Sequence, residues 1–560
     1  MSKQLIECVP NFSEGRDLTI IKQITDAIEQ VEGVQLLNVD PGKATNRTVV
    51  TFVGEPAAAI EAAFQAIKKA GELIDMRLHK GEHPRMGATD VCPLVPIANI
   101  SMEETAKWAT KLGERIGNEL SIPIYLYEAA ATRPDRQNLA TIRAGEYEGF
   151  AEKIKNPNWK PDFGAAVFNP KSGATVVGAR DFLIAYNVNL NTTSVRRANS
   201  VAFDVREQGR FVTDSNGKKI LNPDGEPIRQ AGACQAVKGI GWFIEEYGLA
   251  QVSMNLTNIR VTPLHIAFEE CCKSATKRGM RVTGSELVGL VPKQVMLDAG
   301  KYFLTQQQRS VGVSEAELIR IAVKTMGLDE LTPFDPKTRI IEYLLENEAD
   351  SPLIRQNLTQ FADETASESP APGGGSIAAY VGSLGAALGA MVANLSSHKR
   401  GWDSRWAFFS EAAAEGQQLK DALLRKVDED TQAFNGIMAA MQLPKATEND
   451  KANRKNALSA ATRQAIETPL ETMRLALKTF DLLDKMADSG NPNSISDVGV
   501  GALCARAAVV GAYLNVKINT SGFEDKKYVQ TVLKEGETAV KLATKLEKAI
   551  LEKVEKAIGG

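Results

Sequence analysis

The chain has 560 residues, too many for one ordinary domain and enough for three, each able to bury its own core. Hydrophobic residues make up 43% and charged residues 24%, the balance of a soluble globular protein rather than a disordered one. The 66 Lys and Arg against 69 Asp and Glu leave a formal net charge of −3, which argues against broad nucleic-acid binding. The start, MSKQLIECVPNF, lacks the apolar stretch of a secretory signal, and no unbroken apolar run reaches the ~18 residues of a membrane span. Even the stretch from Ile377 to Val392 is interrupted by Ser383 and several Gly. Six scattered cysteines without CxxC spacing indicate neither a zinc site nor a disulfide framework. Free thiols in a reducing cytoplasm are the expectation. The four histidines, His79, His83, His265 and His398, limit the candidates for acid–base work near neutral pH.

In chain order, strands are expected at Leu5–Val9, Val34–Val39 and Thr48–Val53, with a helix from Pro56 to about Ile74 on the spacing of Ile60, Phe64 and Ile67. A strand at Ile122–Tyr127 leads to the turn Arg133-Pro134-Asp135, and residues 156–173 are rich in Pro, Gly and Asn, a loop composition. A second block opens with a strand at Phe182–Leu190. A helix near Thr193–Arg206, a strand near Gln251–Leu256 and a helix near Pro263–Lys277 follow. Beyond Leu353 Ala, Lys, Glu and Leu dominate, and Leu542, Leu546, Ile550 and Val554 mark an amphipathic last helix. The expected fold is multidomain: two α/β (α+β) subdomains, residues 1–180 and 181–330, a linker over 331–352, and an all-α bundle over 353–560.

The segment His79-Lys-Gly-Glu-His83-Pro-Arg-Met-Gly-Ala-Thr-Asp90 gathers acids, bases and two imidazoles in a stretch without periodicity. Pro84 pushes His83 towards extended backbone, and Glu82 or Asp90 is suited to orient its ring for general-base work. By composition alone the simpler reading is a solvated surface loop. The four-residue spacing of His79 and His83 is not a metal pair, because Gly81 and Pro84 argue against a helix. His265 reads as a packed helical residue. Asn187, Asn189 and Asn191 share a strand face that suits either a pterin pocket or solvent.

His79 to Pro96, HKGEHPRMGATDVCPLVP, closely resembles the signature of the formimidoyltransferase family. So do Glu7–Asp17, Asn38–Gly54, Pro161–Leu190, Arg206–Arg210, Lys238–Leu256 and Gly284–Pro292. The resemblance covers about residues 1–330. It implies transfer of a formimidoyl group from N-formimidoyl-L-glutamate to N5 of tetrahydrofolate, a step of histidine breakdown and one-carbon metabolism. It places the catalytic histidine at His83 and the folate-binding stretch at Gly164, Ala165, Ala166, Val167, Phe168, Asn169, Pro170, Lys171, Ser172 and Gly173. Arg47 and Arg85 are the candidates for the substrate carboxylates.

In the last third, Pro372-Gly-Gly-Gly-Ser376 opens a helix that Ser376 is suited to cap. Gly382, Ala386 and Gly389 suit close helix packing. On a helix through Val427–Phe434, Asp430 shares the apolar face of Val427 and Phe434, whereas Asp428 and Glu429 read as solvated charge. Ser369–Leu395, Lys426–Thr447 and Ser496–Asn519 resemble the cyclodeaminase/cyclohydrolase family, which implies closure of 5-formimidoyltetrahydrofolate to 5,10-methenyltetrahydrofolate with loss of ammonia. The family's catalytic aspartate falls on Asp430. Residues 396–403 depart from the family pattern and leave His398 unassigned.

Nothing points to a nucleotide: Gly239-Ile-Gly241 lacks the third Gly of a dinucleotide fingerprint, and neither GxxxxGK[ST] nor GxSxG occurs. The joint expectation is a cytoplasmic bifunctional enzyme with tetrahydrofolate, polyglutamylated, as shared substrate and with no metal. It is expected to pair as a homodimer or larger homo-oligomer and to bind neither nucleic acid nor membrane. The alternatives are formyl transfer from N-formylglutamate in the first domain, or a folate-binding scaffold without catalysis.

Overall fold

The computed structural model describes residues 4–43, 45–81, 83–346 and 351–559. Contacts divide the chain into two compact units, residues 1–295 with 326–344 and residues 296–325 with 345–560.

The first unit opens with a seven-stranded sheet of β1 (Leu5–Cys8), β2 (Asn11–Phe12), β3 (Val34–Gly42), β4 (Arg47–Gly54), β5 (Thr89–Ala98), β6 (Ile124–Glu128) and β7 (Thr175–Ala179). β3 pairs β4, β1 and β2 both lie between β4 and β5, and β7 then β6 follow, the last two pairings parallel. Alternation decides which side chains reach the site. Val50, Phe52, Cys92 and Leu94 point into a core with α1 (Leu18–Glu29), α2 (Pro56–Leu73) and α3 (Met102–Leu120). Arg47, Val49, Thr51, Val91 and Pro93, one position out of phase, therefore face away from those helices. Pro56 starts α2 with its φ already helical, and Ser101 with Glu104 closes a capping box on α3. The short α4 (Leu139–Arg143) and α5 (Glu146–Lys153) pack on the opposite face, where Ile142 and Phe150 meet Tyr125, Tyr127 and Val91.

A second sheet follows, made of β8 (Ile184–Leu190), β11 (Val237–Ile244), β12 (Leu249–Leu256) and β13 (Val282–Val288), antiparallel in the order β11-β12-β8-β13. The two-residue strands β9 (Arg210–Phe211) and β10 (Arg229–Gln230) form a separate hairpin. α6 (Val195–Val205) and α7 (Leu264–Thr276) pack beside the sheet. Register aligns Lys238, Asn255, Ala185 and Val288 in one row across the four strands.

The second unit is helical. It holds α8 (Lys293–Gln306), α9 (Glu315–Met326) and α12 (Leu358–Thr365), whereas the short α10 (Pro336–Arg339) and α11 (Ile341–Leu345) group with the first unit. The long helices are α13 (Gly374–Ser397), α14 (Trp406–Gln442), α15 (Glu448–Ser489), α16 (Ile495–Asn519) and α17 (Lys526–Gly559). Small residues let α13 run at the centre: a methyl on Gly389 would lie 2.7 Å from Leu482, and one on Gly382 3.1 Å from Ala508. α13 and the segment Pro492–Asn519 are long and apolar enough to cross a bilayer, with 61% and 44% of their most apolar windows buried inside the protein.

Most expected strands and helices are present with ends shifted by one to three residues. β5 is an addition to them, because Pro93 and Pro96 speak against a strand. Segment 331–352 is not a bare linker. It carries α10 and α11, Ile340 is fully buried and bridges Val291, and residues 347–350 lie outside the described structure. Residues 296–325, expected in the second α/β block, group with the bundle. Between α8 and α9, Ser410 accepts from the Val311 amide at 2.9 Å and the Gly312 carbonyl accepts from Asn394 at 2.8 Å.

Candidate active sites

The loop before β5 is pinned on both sides of His83. Asn46 donates to the Lys80 carbonyl (3.0 Å) and its own carbonyl accepts from His79 Nε2 (2.8 Å). On the other side Arg85 forks onto Glu148 at 2.7 and 2.8 Å and donates to His79 Nδ1 at 3.2 Å. His79 and Arg85 thus fasten the loop, and neither lines the cavity that His83 faces. The expectation that Arg85 holds a substrate carboxylate gives way to this: its guanidinium pairs with Glu148 outside the lining of the cavity, where Arg47 stands instead.

His83 is half-buried in the wall of a cavity of about 690 Å³, a size that holds a drug-sized ligand. The first sheet supplies the out-of-phase residues Arg47, Val49, Thr51, Val91 and Pro93, and the second supplies the row Lys238, Asn255, Ala185 and Val288. The ring's tautomer follows from its neighbours. His83 Nδ1 lies 2.7 Å from the Pro84 carbonyl and 3.1 Å from Arg47 Nη1. A carbonyl only accepts and a guanidinium only donates, so one nitrogen cannot serve both. The shorter bond puts the proton on Nδ1, while Arg47 Nη1 donates to Asp90 at 2.5 Å. Nε2 then carries the lone pair and makes no hydrogen bond among the described residues.

Asp90 is fully buried and does not touch the ring. It binds Arg47 and Arg143, each at 2.5 Å, and accepts the Met86 amide at 3.0 Å. Burial alone would raise its pKa, but the two guanidiniums outweigh that and hold it below the usual carboxylate range. Glu82, the other candidate for orienting the ring, lies outside the described residues. Burial, and next the Arg47 guanidinium, lower the His83 pKa to about 4. The imidazole is therefore neutral near pH 7 and able to accept a proton. Asn11 holds the rest of Arg47 at 2.7 and 3.0 Å, and Arg180 and Lys238 add cations to the lining, against Asp40, Glu128 and Asp181.

Gly164–Gly173, expected at the folate pocket, contributes no residue to this cavity. Its end buttresses the His83 loop instead: Gly173 bridges Gly87, and the Ser172 carbonyl accepts the Ala88 amide at 2.8 Å. Asn187 and Asn189 are also absent from the lining and are not solvated. They are buried, with Asn189 donating to Glu330 and accepting from Gln251, both at 2.8 Å. Asn191 lies just past β8, where it accepts the Arg281 amide at 2.7 Å. His265 is buried in α7.

In the second unit Asp430, on α14, meets the start of α13. The expected cap is not made: the N-cap position is Gly373, and the buried Ser376 hydroxyl reaches the Val427 carbonyl at 2.8 Å and Asp430 at 3.3 Å. A methyl on Gly375 would collide with the Asp430 carboxylate, so glycine is what lets acid and helix start touch. Burial raises the Asp430 pKa, and hydrogen bonds from the Ser376 hydroxyl and backbone limit the rise. Asp430 lines a cavity of about 160 Å³ with Gly373, Gly374, Phe434, Asn515 and Asn519. Asp428 is not solvated: it is 3% exposed and accepts the amides of Leu353 (2.9 Å) and Ile354 (3.3 Å). His398, exposed, caps the far end of α13, about 35 Å of helical rise from Gly375.

The residues missed from sequence are Asn11, Arg143, Arg180 and Lys238 in the first cavity and Asn515 and Asn519 in the second. Only the last pair carries a local signal, two amides four apart on a helix otherwise rich in Ala, Val and Gly. Among the described residues no group of three His, Cys, Asp or Glu gathers as a metal site would.

Comparison with known proteins gives three matching family models: "Formiminotransferase domain, N-terminal subdomain" over residues 5–180, "Formiminotransferase domain" over 185–346, and "Formiminotransferase-cyclodeaminase" over 357–538. A formimidoyltransferase-cyclodeaminase of Gallus gallus is 45% identical over 529 residues, covering 94% of each chain. A glutamate formimidoyltransferase of Thermoplasma acidophilum is 45% identical over 54% of this chain and 92% of its own. A methenyltetrahydrofolate cyclohydrolase of Methylorubrum extorquens is 35% identical over 36% of this chain and 98% of its own. With three matching family models in order and 45% identity over 94% of its length to a formimidoyltransferase-cyclodeaminase, the chain belongs to the formimidoyltransferase-cyclodeaminase family.

Proposed function

We propose that the chain carries out two consecutive reactions, with His83 serving the first and Asp430 the second. In the first, N5 of tetrahydrofolate attacks the amidine carbon of N-formimidoyl-L-glutamate. The N5 proton passes to His83 Nε2 and then to the departing glutamate nitrogen as the old C–N bond breaks. Carboxylates of the substrates entering beside Arg47, Arg143, Arg180 and Lys238 offset positive charge there, which brings the imidazole pKa back towards the working pH. In the second, N10 attacks the formimidoyl carbon, and Asp430 carries the N10 proton to the amine, which leaves as ammonia and yields 5,10-methenyltetrahydrofolate.

The observation that carries this reading is the pair of separate cavities, one lined by His83 and the other by Asp430, each with a pKa that burial has displaced. Formyl transfer from N-formylglutamate fits less well, because it yields no amidine for the second unit to deaminate. Gly164–Gly173 then aids folate binding by holding the His83 loop rather than by walling the cavity. The enzyme is read as cytoplasmic, which its six free thiols support, and its shared folate as polyglutamylated.

The second cavity is smaller than the ~300 Å³ usual for a ligand site, which supports a homo-oligomer. Exposed apolar residues on α13 (Leu384, Met391, Leu395) continue a stripe through Ile377, Val381 and Leu388 in alternating steps of four and three, the spacing that receives another helix. Supplying formimidoylglutamate and tetrahydrofolate should release ammonia and raise methenyl absorbance together. Turnover with formylglutamate alone, or none with either donor, would overturn the assignment.

A further inference from the structure

The second cavity holds two carboxamides whose orientation the backbone dictates. Asn515 Nδ2 donates to the Gly511 carbonyl at 2.9 Å, and Asn519 Nδ2 donates to the Ala465 carbonyl at 2.7 Å. Turning either amide over would set oxygen against oxygen, so the flip is excluded and each Oδ1 points away from those carbonyls. Residues four apart on α16 share one face, and both line the cavity with Asp430. Two of the three meet the start of α13: Asp430 abuts Gly375, and Asn515 Nδ2 lies 3.5 Å from where a side chain on Gly374 would begin. The cavity thus holds a carboxylate, two carboxamides each fixed in one orientation and the Thr431 hydroxyl, with no Lys or Arg in its lining among the described residues.

An array of acceptors without a cation recognises a nitrogen rich in N–H. We propose that Asn515 and Asn519 are specificity-determining residues that, with Asp430, hold the leaving nitrogen, and so set this cavity for release of ammonia rather than addition or loss of water. This rests on the cyclodeaminase reading above. The protonated formimidoyl group, N5–CH=NH2⁺, brings two N–H donors. N10 bonds to its carbon, the N10 proton moves through Asp430 to the amine, and the C–N bond breaks with its electron pair on the departing NH3. The positive charge stays on the methenyl bridge, so atoms and charge balance. At the moment of departure the nitrogen has three N–H bonds for the Asp430 carboxylate and the two carboxamides, with the Thr431 hydroxyl also in the lining. A hydroxyl leaving as water has fewer hydrogens to give and leaves an acceptor unmatched.

The test runs the reaction backwards in the intact chain, from methenyltetrahydrofolate and ammonium, which separates the two substrates kinetically. Asn515→Leu and Asn519→Leu should each raise the KM for ammonium by about 10- to 100-fold. The KM for methenyltetrahydrofolate should change less than about twofold. Asn515→Asp, which keeps an acceptor oxygen, should recover much of the ammonium affinity. Transferase activity of the same variants checks that the chain is folded. Equal losses in both KM values, or no change in that for ammonium, would overturn the proposal while leaving the cyclodeaminase reading intact. Absence of any ammonium-dependent turnover in the unaltered chain would instead sink that reading.

Discussion

Asp90 cancels only one of the two guanidiniums it binds, so Arg47 and Arg143 together leave a positive charge beside His83. With the neutral imidazole as the proposed base, transferase activity should be lost as pH falls through its folded pKa of about 4, not through about 6.5. The kcat/KM profile should accordingly stay flat from about pH 7 to about pH 5. Arg143→Gln removes part of the charge and should move the acid limb upward. A limb near 6.5 in the unaltered enzyme, or one that ignores the substitution, would contradict the electrostatic argument. Asp428, two residues from Asp430, serves the fold instead, since its buried carboxylate satisfies two amides of the chain entering the bundle. Asp428→Ala should cost about 2–3 kcal/mol and lower the melting temperature of the helical unit by roughly 5 °C or more. An unchanged melting temperature would show that these bonds are replaced by water.

At the scale of elements, α13 and α14 meet where Gly375 lets Asp430 approach the helix start. Gly375→Ala should push the carboxylate aside and cut cyclodeamination by about 10²-fold, with transferase turnover intact. Full cyclodeaminase activity in that variant would mean the contact is incidental. The same elements show how far sequence reasoning reaches. Regular hydrophobic spacing exposes α2, α6, α7 and α17, because burial of one face writes a period into the chain. β5 stays hidden behind its prolines. The place of residues 296–325 stays hidden because their anchors, Val311 to Ser410 and Gly312 to Asn394, join residues about a hundred and about eighty positions apart. His83 and Asp430 are legible through family resemblance far more than through periodicity. Arg143, Arg180 and Lys238 are not, since only the fold brings three distant segments to one cavity. Asp428 reads wrongly as solvated because helical phase says which way a residue points, not what covers it.

For the whole molecule, the two units have separate hydrophobic cores, and His83 and Asp430, the two proposed proton carriers, lie one in each. The apolar stripe of α13 is proposed to seat a second copy, so Leu384→Glu should shift the enzyme to a smaller species in sedimentation and weaken cyclodeamination. An unchanged sedimentation coefficient would remove α13 from the interface. The separation of functions is the deeper claim, and paired substitutions test it. With formimidoylglutamate and tetrahydrofolate supplied, Asp430→Ala should accumulate 5-formimidoyltetrahydrofolate without ammonia. His83→Ala should make none, yet should still cyclise 5-formimidoyltetrahydrofolate added directly, each loss being about 10²-fold or more. If both folded variants lose both activities, or if neither loses its own, the assignment of one reaction to each residue fails.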